Sequence, residues 1–330
     1  MQRRAQLPCH GLTAVVNTQA AVTASTGERT LLKTGKEYAV KVIPKHREGA
    51  SEQHILQKFS LEAQIMTSLG GRPEAVRLHG LYQDTTHVYM VTELCRGGDL
   101  ETHLKVNGRM TEKESARVIH DVLNVLAECH RQSICYADVK PANFMLKRLY
   151  PEPRLPYDRA WPRPLPQREI EVKVVDFGCS TFVAHGTKLK RRTGTPVYMA
   201  PELFMRYYGI ECDLWAMGML LYQLLSGRLP FWGGDSSSAS PFNVMVAILH
   251  QEINTSGAAW EGVSAEAKDL VHRLLDRDFN TRITAAQALK HPWIAANVEE
   301  AEERLVLSNV VKLKPRRSSL EGDRRAALPL

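Results

Sequence analysis

The feature that most constrains this chain is a pair of short polar motifs set at the ends of apolar runs. Asp138-Val-Lys-Pro-Ala-Asn143 follows a long amphipathic stretch, and Asp176-Phe-Gly178 closes the β-rich run that begins at Val172. An aspartate, a lysine two residues on and an asparagine five residues on, in one loop, place a base, a cation and a metal ligand together. The second motif adds a carboxylate at a strand end. Phosphoryl transfer calls for this set, because its catalysis is mostly positioning and charge neutralisation. Singly, D-F-G is an ordinary strand end and D-x-K an ordinary turn. Together and in this order they point to one site, and the fold must bring them to it.

Periodicity supplies the surrounding elements. Gly35–Lys45 alternates with period two and predicts a strand, whereas Ser51–Leu69 carries Ile55, Phe59, Ile65 and Met66 at helical spacing. Val88–Leu94 is β-rich and runs into Gly97–Gly98. Thr111–Cys129 predicts a helix opened by a capping box of Thr111 and Glu114, with Val118, Ile119, Val122, Leu123 and Leu126 buried. Helices are further predicted over Asp213–Leu225, Pro241–His250, Ala265–Leu275 and Ala285–Leu289. Strands come early and helices late, which implies an α+β chain with a small β-rich lobe ahead of a larger helical one.

Composition excludes several alternatives. With 44% apolar and 24% charged residues the chain is an ordinary globular one. The net charge of +7 is scattered, so it does not single out nucleic acid. No apolar stretch spans a bilayer, the best being Leu214–Leu225 with Gly218 and Gln223 inside it. Cys9, Cys95, Cys129, Cys135, Cys179 and Cys212 show neither metal-ligand nor paired spacing and read as reduced thiols. That fits a cytoplasmic or nuclear protein, although residues 1–27 are free of acidic residues and share the composition of an organelle transit peptide.

Two inward charges complete the candidate site. Lys41 shares a strand face with Ala39 and Ile43, and Glu62 shares the apolar stripe of the next helix one heptad from Ile55. Opposite charges placed inward on adjacent elements suggest an ion pair that holds phosphates.

These residues together resemble a eukaryotic protein kinase, of the calcium/calmodulin-dependent and plant calcium-dependent Ser/Thr group, from about Thr34 to Trp293. The matching segments are Ala39-Val-Lys41, Val91–Leu100 with Thr92 as gatekeeper, Asp138–Asn143, Asp176–Gly178, Gly194–Glu202, Asp213–Gly218 and Arg282–Trp293. The resemblance implies a bilobal kinase fold with a small β-rich N-lobe carrying one key helix and a larger, mostly helical C-lobe. It implies an N-terminal segment over 1–30, an N-lobe over 31–95, a C-lobe over 96–295 and a basic tail over 296–330.

It also implies roles. Asp138 deprotonates the substrate hydroxyl and Lys140 neutralises the transferring phosphate. Asn143 and Asp176 hold Mg²⁺, and Lys41, fixed by Glu62, holds the ATP phosphates. The backbones of Glu93 and Cys95 read adenine between Ala39 and Met145, and Asp99 reaches the ribose. Lys140 with Thr195 is the serine/threonine version of the site, so protein substrates are expected. Glu202, Arg282, Asp213 and Trp215 are structural.

The chain departs from the family at named places. The glycine-rich phosphate loop is expected near Gln19–Ser25, where the sequence reads QAAVTAS. That keeps open a second reading, a kinase-fold scaffold with weak or no turnover. Tyr136-Ala-Asp138 stands where the family has His-Arg-Asp, and residues 179–199 contain no acidic residue. Activity is therefore expected not to depend on phosphorylation of that segment. Ala142 and Gln223 replace the acidic residues of arginine-directed relatives, leaving Asp99 as the main candidate for that role. A Pro/Arg-rich insertion over 147–170 and the basic run Lys312–Arg317 read first as a tolerated surface loop and a solvated tail, with docking of a regulatory partner as the alternative at either place, and no EF-hand pattern occurs.

Overall fold

The computed structural model describes residues 37–46, 49–147, 170–184, 186–231 and 240–298, together with the backbone of three short strands before them. The expected phosphate-loop position, nearly all of the insertion and the basic tail lie outside the described residues. Strands β1 (Arg3–Arg4) and β2 (Val15–Val16) pair antiparallel ahead of the main sheet.

The main sheet is antiparallel, with strands β3 (Glu28–Leu31), β4 (Glu37–Pro44), β5 (Leu78–Gln83) and β6 (His87–Glu93) in the order β3-β4-β6-β5. It thus starts a few residues before the boundary expected at 31. Helix α1 (Glu52–Ser68) is capped by the Ser51 hydroxyl, which accepts from the His54 N–H, and buries Ile55, Phe59, Ala63, Ile65 and Met66. Glu62 sits on this same buried face.

The second lobe is helical. Asp99 caps α2 (Leu100–Asn107), and the predicted capping box of Thr111 and Glu114 opens α3 (Glu112–Arg131). The predicted stripe on α3 is fully buried. Helix α4 (Pro201–Phe204) is followed by α5 (Cys212–Ser226), which is buried on all sides and therefore reads as a nearly unbroken apolar run. At Gly218 a Cβ would stand 2.7 Å from the Leu275 side chain, so glycine lets α5 approach α7 (Ala265–Leu274) closely. Helices α6 (Pro241–His250) and α8 (Ala285–Ala288) complete the predicted set.

Short strands build the floor between the lobes. β7 (Ile134–Cys135) pairs with β10 (Thr181–Phe182), and β8 (Phe144–Leu146) pairs with β9 (Val172–Val174). β9 also meets the chain just before β5, through Val174 N–H to Glu74 O at 2.8 Å and Val76 N–H to Val174 O at 3.0 Å. The strand that leads into Asp176 is therefore stitched to the β-rich lobe by backbone.

Candidate functional site

Lys41 stands at the meeting point of three elements. From β4 its ammonium donates to Glu62 at 2.8 and 3.1 Å and to Asp176 at 2.8 Å. Burial works against its charge, but the two carboxylates outweigh that and hold it above the ordinary lysine value. Burial likewise pushes the Glu62 carboxyl up, against the pull of Lys41. The Lys41–Glu62 pair matches the expectation, while the bond to Asp176 was not foreshadowed by spacing.

Asp176 occupies a tight turn. Its φ is 55°, a left-handed conformation that costs a non-glycine residue energy, and its Oδ1 accepts from the Gly178 N–H at 3.3 Å. What holds the turn is the fully buried Tyr136. Its hydroxyl donates to the Val175 carbonyl at 2.6 Å, and its ring meets the Phe177 ring edge-on at 5.3 Å. Burial raises the Tyr136 phenol well above its ordinary value, so it remains a proton donor.

Asp213 fixes the loop on the other side. Its buried carboxylate accepts from the Tyr136 and Ala137 N–H groups at 2.9 and 2.8 Å and lies 2.9 Å from His130 Nε2. Ala137 is thereby held at φ 62°. Its carbonyl would lie 2.5 Å from a Cβ at Gly194, whose own φ is 86°, so only glycine fits there.

Asp138 is the centre of the loop and is 7% exposed. Lys140 Nζ lies 2.9 Å from its Oδ2, and Asn143 donates to the same oxygen and to the Asp138 carbonyl, both at 2.9 Å. The Thr195 hydroxyl is 3.2 Å from Asp138 Oδ1 and 3.0 Å from Lys140 Nζ. A carboxylate with one cation and one hydroxyl in reach can accept a proton while an anion is neutralised beside it. Asn143 spends its amide nitrogen on Asp138.

The segment Val91–Leu100, the hinge that the resemblance implies, lies where the β-rich lobe meets the helical one. Ala39 on β4 faces Thr92 across the ladder, and Asp99 forms a bridge with Met145. The Gly97 N–H donates to Leu146 O and the Leu146 N–H to Gly98 O, at 2.9 and 2.8 Å. Burial and the nearby Glu93 push the half-buried Cys95 thiol up to about 11. Both Asp99 oxygens are engaged by Thr102, at 2.8 Å to its N–H and 2.9 Å to its hydroxyl.

One partner was missed by sequence reasoning. Lys173, 9% exposed on β9, places its ammonium 2.8 Å from Glu93 Oε1, which also accepts from the Arg77 N–H at 2.8 Å. A lysine at the middle of the short run Val172–Val175 was the available signal.

The expected supports are also in place. Arg282 donates to both Glu202 oxygens at 2.6 and 3.0 Å, and both residues are buried. Spacing did not foreshadow the approach of Cys135 and Cys212, whose sulfurs lie 3.5 Å apart beside Asp213. Among the described residues no helix is long and apolar enough to cross a membrane.

Comparison with known proteins bears on the fold that holds these residues. The protein kinase domain family model matches residues 24–294, starting earlier than the resemblance at Thr34. Calcium-dependent protein kinase 2 of Zea mays is 33% identical over 86% of this chain and 51% of its own length. CDPK-related kinase 1 of Arabidopsis thaliana is 34% identical over 92% of this chain and 48% of its own. Calcium/calmodulin-dependent serine/threonine-protein kinase 1 of Oryza sativa subsp. japonica is 35% identical over 89% of this chain and 45% of its own. The chain thus spans about half the length of the curated relatives it matches. With a family model that covers residues 24–294, a sheet lobe ahead of a helical lobe has its explanation: the chain belongs to the protein kinase domain family.

Proposed function

We propose that this chain is an ATP-dependent protein kinase that transfers the γ-phosphate to serine or threonine hydroxyls of proteins. The observation that carries the reading is the convergence of Asp138, Lys140, Asn143 and Thr195 within hydrogen-bond reach. Asp138 orients the acceptor hydroxyl and takes its proton. Lys140 sets a positive charge beside the migrating phosphoryl group. Lys41, oriented by Glu62, binds the phosphates upstream of the bond that breaks.

The hinge supplies nucleotide recognition. The backbones of Glu93 and Cys95 face the adenine, Ala39 and Met145 close on it from either side, and Asp99 reaches toward the ribose. Because Asp99 already caps α2, a ribose contact shares that carboxylate with Thr102. Asp176 and the amide oxygen of Asn143 are hard oxygen donors that suit Mg²⁺. When bound, that ion neutralises phosphate charge and polarises the transferring group. Family membership supports ATP and Mg²⁺ use in general. In this reading the β-rich lobe, residues 31–95 with β3 added, carries Lys41 and the sheet that faces the nucleotide, and residues 96–295 carry the catalytic loop and peptide site.

The test is transfer from Mg-ATP to a generic protein substrate by wild type and Asp138→Asn, alongside the shift in melting temperature on adding ATP. Transfer above the variant is expected. No transfer above it, with no thermal shift from ATP, would instead establish a kinase-fold scaffold without turnover.

A further inference from the structure

A run of cations borders the acceptor position, and among the described residues only Lys188 of the run has an acidic partner. Residues 186–192 read GTKLKRR, and no acidic residue occurs between Cys179 and Met199. The run is ordered by its neighbours. Leu189 and Tyr208 exchange backbone hydrogen bonds at 2.7 and 3.3 Å, and the Tyr208 hydroxyl donates to the Arg191 carbonyl at 2.6 Å. Arg192 donates to the Phe204 carbonyl at 3.1 Å, with its guanidinium 5.8 Å from the Phe204 ring centre.

Of the four cations, Lys188 is committed to Glu211 at 3.2 Å and stands over the Phe279 ring. Lys190, Arg191 and Arg192 are exposed, and no ion pair engages them among the described residues. Thr195, three residues beyond Arg192, touches both Asp138 and Lys140. The cationic run therefore adjoins the place where an acceptor hydroxyl must sit.

The acidic groups around that place are committed elsewhere. Glu202 is locked by Arg282, and Asp99 caps α2 with both oxygens. Gln223 carries no charge and accepts from the Tyr198 hydroxyl at 2.7 Å. Glu101 on α2 lies 3.1 Å from Lys105. A peptide flanked by arginines would meet three uncompensated cations here, whereas one flanked by anions would complete them.

We infer that Lys190, Arg191 and Arg192 select substrates carrying anionic side chains beside the acceptor serine or threonine. The inference deepens the proposed kinase reading and rests on it for turnover, although peptide binding can be measured without turnover. Guanidinium groups pair with carboxylates and phosphates through paired N–H donors. A phosphorylated side chain carries more charge than a carboxylate and should bind more strongly where it is accepted.

Binding comes first, by fluorescence anisotropy with the full chain and three labelled peptides of one sequence. Their residues flanking a central serine are aspartate, phosphoserine or alanine. Both anionic peptides should bind about tenfold tighter than the alanine peptide, with the advantage shrinking as salt is added. A clear lead for phosphoserine would identify phosphorylated proteins as the source of the anion, and equal binding would identify acidic segments. The double substitution Lys190→Ala and Arg191→Ala should collapse that advantage toward unity at an unchanged melting temperature. Equal binding of all three peptides by wild type, or an advantage that survives the substitution, overturns the inference. The ratio of kcat/KM between acidic and neutral peptides should follow the same pattern. Transfer no better than that of Asp138→Asn would sink the kinase reading while leaving the anisotropy result to decide this one.

Discussion

Single side chains reinforce the backbone connection between the two lobes. Lys173 donates to Glu93 from the strand that leads into Asp176, so the Glu93 carboxylate and the Asp176 turn share one support. Lys173→Met should raise the KM for ATP about tenfold while changing kcat less, and Lys173→Arg should recover much of the difference; steady-state kinetics over an ATP series reads both. An unchanged KM would mean the pair only stabilises the fold. Glu128 offers a test by pH. Hydrogen bonds from Arg131, Gln132 and Arg72 lower its carboxyl from 4.5 to about 2. A carboxyl depressed on folding stabilises above its unfolded value, and that stability is lost as pH falls toward the folded one. Between about pH 4.5 and 2 the melting temperature of wild type should therefore fall more steeply than that of Glu128→Gln. Parallel curves would show that the cluster does not contribute.

At the scale of elements, the buried Glu202–Arg282 pair ties α4 to the chain just ahead of α8. Arg282→Met leaves Glu202 buried without its cation, and removing one partner of such a pair costs about 3–5 kcal/mol. An unfolding free energy lowered by that amount, read from urea titration, is expected, and a change near zero would show that the two charges are solvated in practice. The segment between β10 and α4 carries Thr193, and the neighbouring loop has Ala137 where the family has arginine. Thr193→Ala should accordingly keep most of the transfer rate, and abolished transfer by a folded variant would show that phosphorylation there matters. Elements of this kind were largely legible in the sequence. α3 announced itself by its capping box and stripe, α1 and α6 by their spacing, and Lys41 and Glu62 by charges at apolar positions. The contacts of Lys41 with Asp176, Lys173 with Glu93 and Cys135 with Cys212 were not. Each joins residues far apart in the chain, and periodicity reports only which way a side chain faces, never which distant group it meets.

For the whole molecule, the closeness of the lobes is set by backbone as much as by side chains, through β9 reaching the chain ahead of β5. Arg72 adds a second tie, from the loop after α1 to Glu128 on α3. The helical lobe also hides three thiols. Cys129, Cys135 and Cys212 are buried, whereas Cys95 and Cys179 are partly open. Contact with Cys212 and burial push the Cys135 thiol well up, and burial does the same to Cys129. The Cys135 contact pulls Cys212 down, yet burial leaves it at about 11. A thiolate is the reactive form, so these three groups should be silent toward a colorimetric disulfide reagent at neutral pH while the lobe is folded. Titrating reactive sulfur during urea unfolding would then time the opening of the helical lobe separately from loss of nucleotide binding. The helical lobe thus carries its own built-in clock.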